Sequence, residues 1–367
     1  MAQARIGNLD LLRFCAALAV VFYHLMFRGA AADGYSPLIF AGADVARYGF
    51  LGVSCFFVMS GFVIAYSAEG RGLVAFAAAR ASRLYPAFLV CMTITALAGL
   101  VLAQPGSRFA PSLPSYIANL TMLAPAFGQP FMDGAYWSIV LEIMFYGWVA
   151  LFIALGLFQR RMLILVTGWL AIGLLNEVFL QSGVLRILLV TQYAGHFSIG
   201  ILLYRLFRRN WTVSAADATV ALAAAALLGL GEYNSMRTME DHFGFEGSIG
   251  LTLLVLAVAI AAVVTAVRMP WPILPASLSA ALGGISYPLY LLHQHIGYLV
   301  FQHLADTIDT WLLLTIAIAA LVALSFVIWR FIERPAIPAL RSFLMRLGDK
   351  ALLYATSSIA RWRVARP

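Results

Sequence analysis

Charge is what this sequence most lacks. Only 11% of its 367 residues are Asp, Glu, Lys or Arg, against 63% hydrophobic, and the mean hydropathy is +0.90. A soluble domain of this size carries about 25% charged residues, so a water-soluble globule is excluded and a polytopic membrane protein remains. Lysine is nearly missing as well: 23 of the 24 basic residues are arginine. The net charge of +8 does not read as a nucleic-acid surface, because most of the arginines fall in short loops and the C-terminal tail, where membrane topology puts them. Cysteine is scarce. Cys15, Cys55 and Cys91 lie within hydrophobic stretches and have no metal-ligand spacing, which reads as small packing residues with no disulfide and no metal site. A basic n-region followed by an A-x-A cleavage site is also missing from the N-terminus, so the first apolar run is expected to be an uncleaved signal anchor.

What is present is a series of apolar runs of about 20 residues, the length that crosses a bilayer as a helix. Ten are expected, near 9–27, 48–67, 84–103, 136–157, 162–179, 185–207, 214–231, 247–267, 277–302 and 310–332. The expected fold is therefore all-α, a polytopic bundle of about ten transmembrane helices with both termini on one side. If that side is the cytoplasm, it holds 18 basic residues: Arg5, Arg71, Arg80, Arg83, Arg160, Arg161, Arg205, Arg208, Arg209, Arg268 and eight from Arg330 onward. The outer loops then hold five (Arg28, Arg47, Arg108, Arg186 and Arg237) together with most of the acids, including Glu232, Glu240, Asp241, Glu246, Asp306 and Asp309. The positive-inside rule sets both termini in the cytoplasm. Region 104–135 carries five prolines and is expected to form an irregular outer loop or a re-entrant segment.

Four constellations of polar residues interrupt these runs. In LDLLRFCAALAVVFYH, residues 9–24, Arg13 and His24 are eleven positions apart and share nearly the same helix face, about 16 Å apart along the axis. Arg13 lies near the cytoplasmic end, where a snorkelling anchor paired with Asp10 is the plain alternative; His24 falls in the outer half. In FAAARASRLYPAF, residues 76–88, Arg80 and Arg83 stand just before the third span and match a bidentate phosphate clamp, although topology alone also places arginines there. In AYWSIVLEIMFYG, residues 135–147, Glu142 sits two turns into the fourth span, where a carboxylate needs a partner, and Tyr136 and Trp137 read as interface aromatics. In GGISYPLYLLHQHIGY, residues 283–298, Ser286, Tyr290 and His293 share a face while His295 points elsewhere. His24, Glu142 and His293 are thereby expected at one depth, the material for general acid–base chemistry.

These residues resemble the integral-membrane acyltransferase 3 family, which includes O-antigen and exopolysaccharide O-acetyltransferases. The resemblance spans the chain to about residue 335, as one domain of residues 1–335 followed by a basic cytoplasmic tail, 336–367. It rests on six motifs in order: LDLLRFCAALAVVFYH at 9–24, GVSCFFVMSGF at 52–62, Arg80 with Arg83 and Pro86, the WSxxxExxFY pattern at 137–146, SYxxYLxH at 286–293, and Phe331, Glu333 and Pro335. It implies transfer of an acyl group, most often acetyl, from cytoplasmic acyl-CoA to a hydroxyl of an extracytoplasmic or lipid-linked carbohydrate, in a bacterial-type inner membrane. Arg13, His24, Arg80 and Arg83 match positions the family relies on, and Glu142 and His293 match further motif residues.

Combined with the residue reading, the expected roles are His24 as general base, Glu142 orienting or charging it, His293 assisting, and Arg13, Arg80 and Arg83 binding acetyl-CoA, with Trp137, Ser286 and Tyr290 in the acceptor site. Direct transfer is expected, since no cysteine is placed for a thioester relay. The expected partners are acyl-CoA, a carbohydrate or glycolipid acceptor and the bilayer, with no nucleic acid; a homo-oligomer stays open. The competing class is a transporter or flippase using the same charges as an anion or proton path, but neither internal repeats nor paired broken helices are visible in the sequence.

Overall fold

The computed structural model describes residues 6–38, 40–243, 247–269 and 271–364. Arg5, Glu246 and Arg366, which entered the charge count above, lie outside the described residues. Among those described there is no strand. The long helices are α1 (Gly7–Phe22), α2 (Leu51–Ala68), α3 (Leu73–Leu102), α4 (Trp137–Ala154), α5 (Met162–Leu175), α6 (Ala194–Arg208), α7 (Ala215–Phe243), α8 (Ile249–Arg268), α9 (Ala276–Leu304), α10 (Thr310–Ile328) and α11 (Arg334–Val364). Among the described residues, eight helical stretches are long and apolar enough to cross a membrane. α6 and α9 are not among them, although both fall on expected spans.

The reasons differ. α6 has 15 residues, about 22 Å at 1.5 Å per residue, short of a hydrocarbon core of about 30 Å. The expected span 185–207 is broken: a short helix, Gly183–Leu188, ends before Val190, whose φ of 51° stops helix propagation. α9 has ample length at 29 residues but buries a polar side, including Ser286, His293, Gln294 and His295.

Two other boundaries move. α3 begins at Leu73, so Arg80 and Arg83 lie inside a 30-residue helix rather than before it. The alanine-rich stretch from 75 to 81 favours helix, and Phe76, Ala78, Ala79 and Ser82 are buried along it. α7 runs through residue 232 to Phe243, so Glu232 is a buried helix residue rather than an outer-loop acid.

Packing is close where side chains are small. α2 and α6 make the most extensive helix pair, and they meet through Gly61 and Gly200. A Cβ on Gly61 would lie 2.1 Å from the Phe197 carbonyl oxygen, and one on Gly200 would lie 2.1 Å from that of Val58. Only hydrogen fits, which is the small-residue packing of membrane helices. α1 packs on both α2 and α9, and Gly283 of α9 makes room for Asp10, whose Oδ1 a Cβ would approach to 2.3 Å. Region 104–135 folds as loop and turns around a short helix, Leu113–Asn119; Asn119 ties it together by donating to the Ser115 and Pro130 carbonyls and accepting from the Met132 amide.

Three helices widen locally into π geometry, at Tyr23–Ala32 after α1, Asn176–Leu180 after α5 and Trp329–Glu333 after α10. The widened turns carry His24, Glu177 and Glu333 respectively. π turns concentrate at functional positions, and nothing in an apolar periodicity marks them.

Candidate active site

α1 is the spine of the site. Three cavities follow it from its N-terminal end to its C-terminal end. The first, about 560 Å³, is lined by Asp10, Arg13, Arg83, Glu333 and Arg334 among others. The second, about 240 Å³, shares Arg13 and Arg83 with the first and adds Arg80, Ser60, Glu142, Tyr146 and Ser286. The third, about 480 Å³, meets the second at Val53 and Tyr290 and contains His24, Arg28, Trp137, Tyr193 and Glu232. Arg13 and His24 thus line different cavities of one row.

In the first cavity Arg13 lies 3.6 Å from Asp10, as the sequence suggested, and Arg83 is paired with Glu333. Glu333 is 1% exposed, so this ion pair joins α3 to the π turn after α10. Arg80 is different: its Nε is buried without a hydrogen-bond partner among the described residues, and its guanidinium lies 6.0 Å from the Tyr146 ring centre.

Glu142 does not meet His24. Its Oε1 accepts from Ser60 Oγ at 2.9 Å and from the Tyr146 hydroxyl, and it lines the arginine cavity. The expectation of one cluster of two imidazoles and a carboxylate gives way to a carboxylate on the arginine side and a histidine pair beyond it. Helix geometry explains the miss: sequence spacing fixes the angle within one helix but not the axial offset between two.

The histidine pair has a definite proton arrangement. His293 Nδ1 lies 2.8 Å from the Tyr290 carbonyl and His24 Nδ1 lies 3.0 Å from the Val20 carbonyl. A carbonyl only accepts, so both Nδ1 atoms are assigned as N–H. His293 Nε2, 3.0 Å from His24 Nδ1, then shares that one N–H with the Val20 carbonyl as its second acceptor. The consequence is that His24 Nε2 keeps its lone pair, with no hydrogen-bond partner among the described residues, on a side chain that lines the third cavity.

The acceptor-site candidates divide. Trp137 and Tyr290 line the third cavity, whereas Ser286 lines the second and donates to the Gly283 carbonyl at 2.8 Å. Tyr290 donates to the Ala135 carbonyl at 3.0 Å and lies 2.7 Å from Ser138 Oγ. Tyr136, expected at an interface, is 1% exposed and packs on Phe88. His295 is indeed turned away, accepting from the Gly134 amide at 3.1 Å. Cys55 and Cys91 are buried, but Cys15 is exposed on the bundle surface.

The sequence reading missed the buried carboxylate of the third cavity. Glu232 Oε1 accepts from Ser54 Oγ and lies 2.8 Å from His196 Nε2; the three residues are between 0 and 3% exposed. Ser54 falls inside the GVSCFFVMSGF motif, but the span limits had put Glu232 in a loop, and that hid the contact. Among the described residues no group of three or more His, Cys, Asp or Glu is placed to hold a metal ion.

The structure is thus an apolar helical bundle in which an arginine-lined and a histidine-lined cavity lie side by side, sharing Val53 and Tyr290. Residues 6–330 match the model of the acyltransferase 3 family, described as an acyltransferase domain, and the chain belongs to that family. It is also similar to the acyltransferase MdmB of Streptomyces mycarofaciens, 29% identical over 147 residues, which is 39% of this chain and 38% of that protein. The chain therefore aligns with well under half of that relative's length. No solved structure matches it.

Proposed function

We propose that the protein moves an acyl group, acetyl in the first instance, from acyl-CoA to a carbohydrate hydroxyl across the row of cavities. What supports this reading is His24, whose Nε2 has no hydrogen-bond partner among the described residues, lining a cavity that shares Val53 and Tyr290 with an arginine-lined one. The donor's phosphates face Arg13 and Arg80, and reach Arg83 only in competition with Glu333. The thioester end extends past Glu142 and Tyr146 toward Tyr290. In the third cavity the acceptor hydroxyl gives its proton to His24 Nε2 as its oxygen attacks the thioester carbonyl. The C–S bond breaks, the ester forms, and the proton passes to the departing thiolate, so the products are the acylated acceptor and free coenzyme thiol. His293 holds His24 in the Nδ1–H form and accepts from the imidazolium as it develops.

The arginine end of the bundle faces the cytoplasm in this reading, with ten spans counted by including α6 and α9, the chain in a bacterial-type inner membrane, and the tail inside. The excess of arginine at that end supports it. Mass spectrometry of surface glycans from cells with and without the protein is the test. A mass of one acetyl group on the glycan, present only with the protein, is expected; identical glycan masses would overturn the reading.

A further inference from the structure

The wall of the third cavity holds a group that the acyl-transfer chemistry leaves unused. Glu232 Oε1 is held by Ser54 of α2 and His196 of α6, while Oε2 is buried and has no hydrogen-bond partner among the described residues. A buried carboxylate oxygen without a donor costs free energy, and a carboxylate gripped from two other helices is held in one orientation. Around it the cavity is lined by Trp137 and Tyr193, whose ring centres are 5.8 Å apart, and by the polar groups Gln192 and Ser235, which bond each other at 2.9 Å.

Resting on the transferase reading above, we infer that Glu232, which lines this cavity, is an acceptor-binding residue whose carboxylate accepts a hydroxyl of a carbohydrate ring packed against Trp137 and Tyr193. Such a site pairs a few fixed polar groups with an apolar face, the usual make-up of a small-molecule pocket. A ring carries several hydroxyls, so one can be held at Glu232 while another is presented to His24 in the same cavity. A carboxylate here also selects against acceptors whose anionic group would fall at this position. Ser54 and His196 are positioning residues, acting through Glu232.

The full chain in lipid nanodiscs, with acetyl-CoA as donor and n-octyl β-D-glucopyranoside below its micellar concentration as the acceptor probe, tests the inference. Glu232→Gln is expected to raise the Michaelis constant for the glycoside at least about tenfold, by a larger factor than those for acetyl-CoA and for n-octanol, which offers a hydroxyl without a ring. Glu232→Asp should fall between. Trp137→Leu, which leaves the carboxylate network intact, should weaken the glycoside in the same selective way. Equal shifts for both substrates with a lowered melting temperature would mark Glu232 as a structural pin and overturn the inference, as would unchanged constants. Wild-type protein that neither binds nor acylates the glycoside would also overturn it, and acetyl-CoA binding in the same preparation would show whether the transferase reading survives.

Discussion

His24 and His293 meet 3.0 Å apart, Nδ1 to Nε2, although 269 residues separate them in the chain. Each ring is anchored to a carbonyl of its own helix. The pair is therefore ordered, with His24 lining the third cavity and His293 behind it.

That order predicts unequal effects. His24→Ala should lower transfer by a factor on the order of 10²–10⁴, as loss of a general base does, with normal membrane level. His293→Ala should cost about 10–100-fold, the scale for loss of an orienting partner. Rates measured under saturating acetyl-CoA check both, and a larger loss for His293→Ala would reverse the assignment.

Because Glu142 lines the arginine cavity, Glu142→Gln should act on the donor. The apparent Michaelis constant for acetyl-CoA is expected to change by about tenfold, the scale of a charge-assisted hydrogen bond, with the acceptor constant unmoved. A change confined to the acceptor would return Glu142 to His24's side.

Arg83 and Glu333 should be coupled in stability. Arg83→Ala leaves a buried carboxylate unpaired, which costs about 3–5 kcal/mol for a fully buried pair and less here, since the Arg83 side chain is 31% exposed. Adding Glu333→Ala should recover part of the loss, and a double-mutant cycle on thermal stability measures it. Strict additivity would show that the pair contributes nothing.

Replacing Arg80 and Arg83 together with lysine keeps the topogenic charge but removes the guanidinium fork. Acyl-CoA binding should weaken, whereas the same change at Arg160 and Arg161 should not affect it. Equal affinity in both double variants would leave Arg80 and Arg83 with a topological role only.

Much of the site was legible in the sequence, because ionisable groups in apolar runs stand out against their surroundings. Arg13, His24, Arg80, Glu142 and His293 all line a cavity or touch a residue that does. What stayed hidden was relative depth. The π turn at Tyr23–Ala32 changes the helical advance at His24, and no 3.6-residue pattern registers it. The Glu232 network escaped because α7 runs on past the end of its hydrophobic stretch, taking a carboxylate into the interior with it. The break before α6 fell inside an expected span and shows only in the backbone of Val190.

α9 buries a polar side that includes Ser286, His293, Gln294 and His295, and for that reason it is not among the helices apolar enough to enter lipid on their own account. Leaving water depends on company. Its polar side is covered by α1, α3 and α10, and α1 and α3 are synthesised long before it. Assembly is thus ordered by the polar side of α9: His24 of α1 meets its imidazole partner His293 only once α9 has emerged to dock against it.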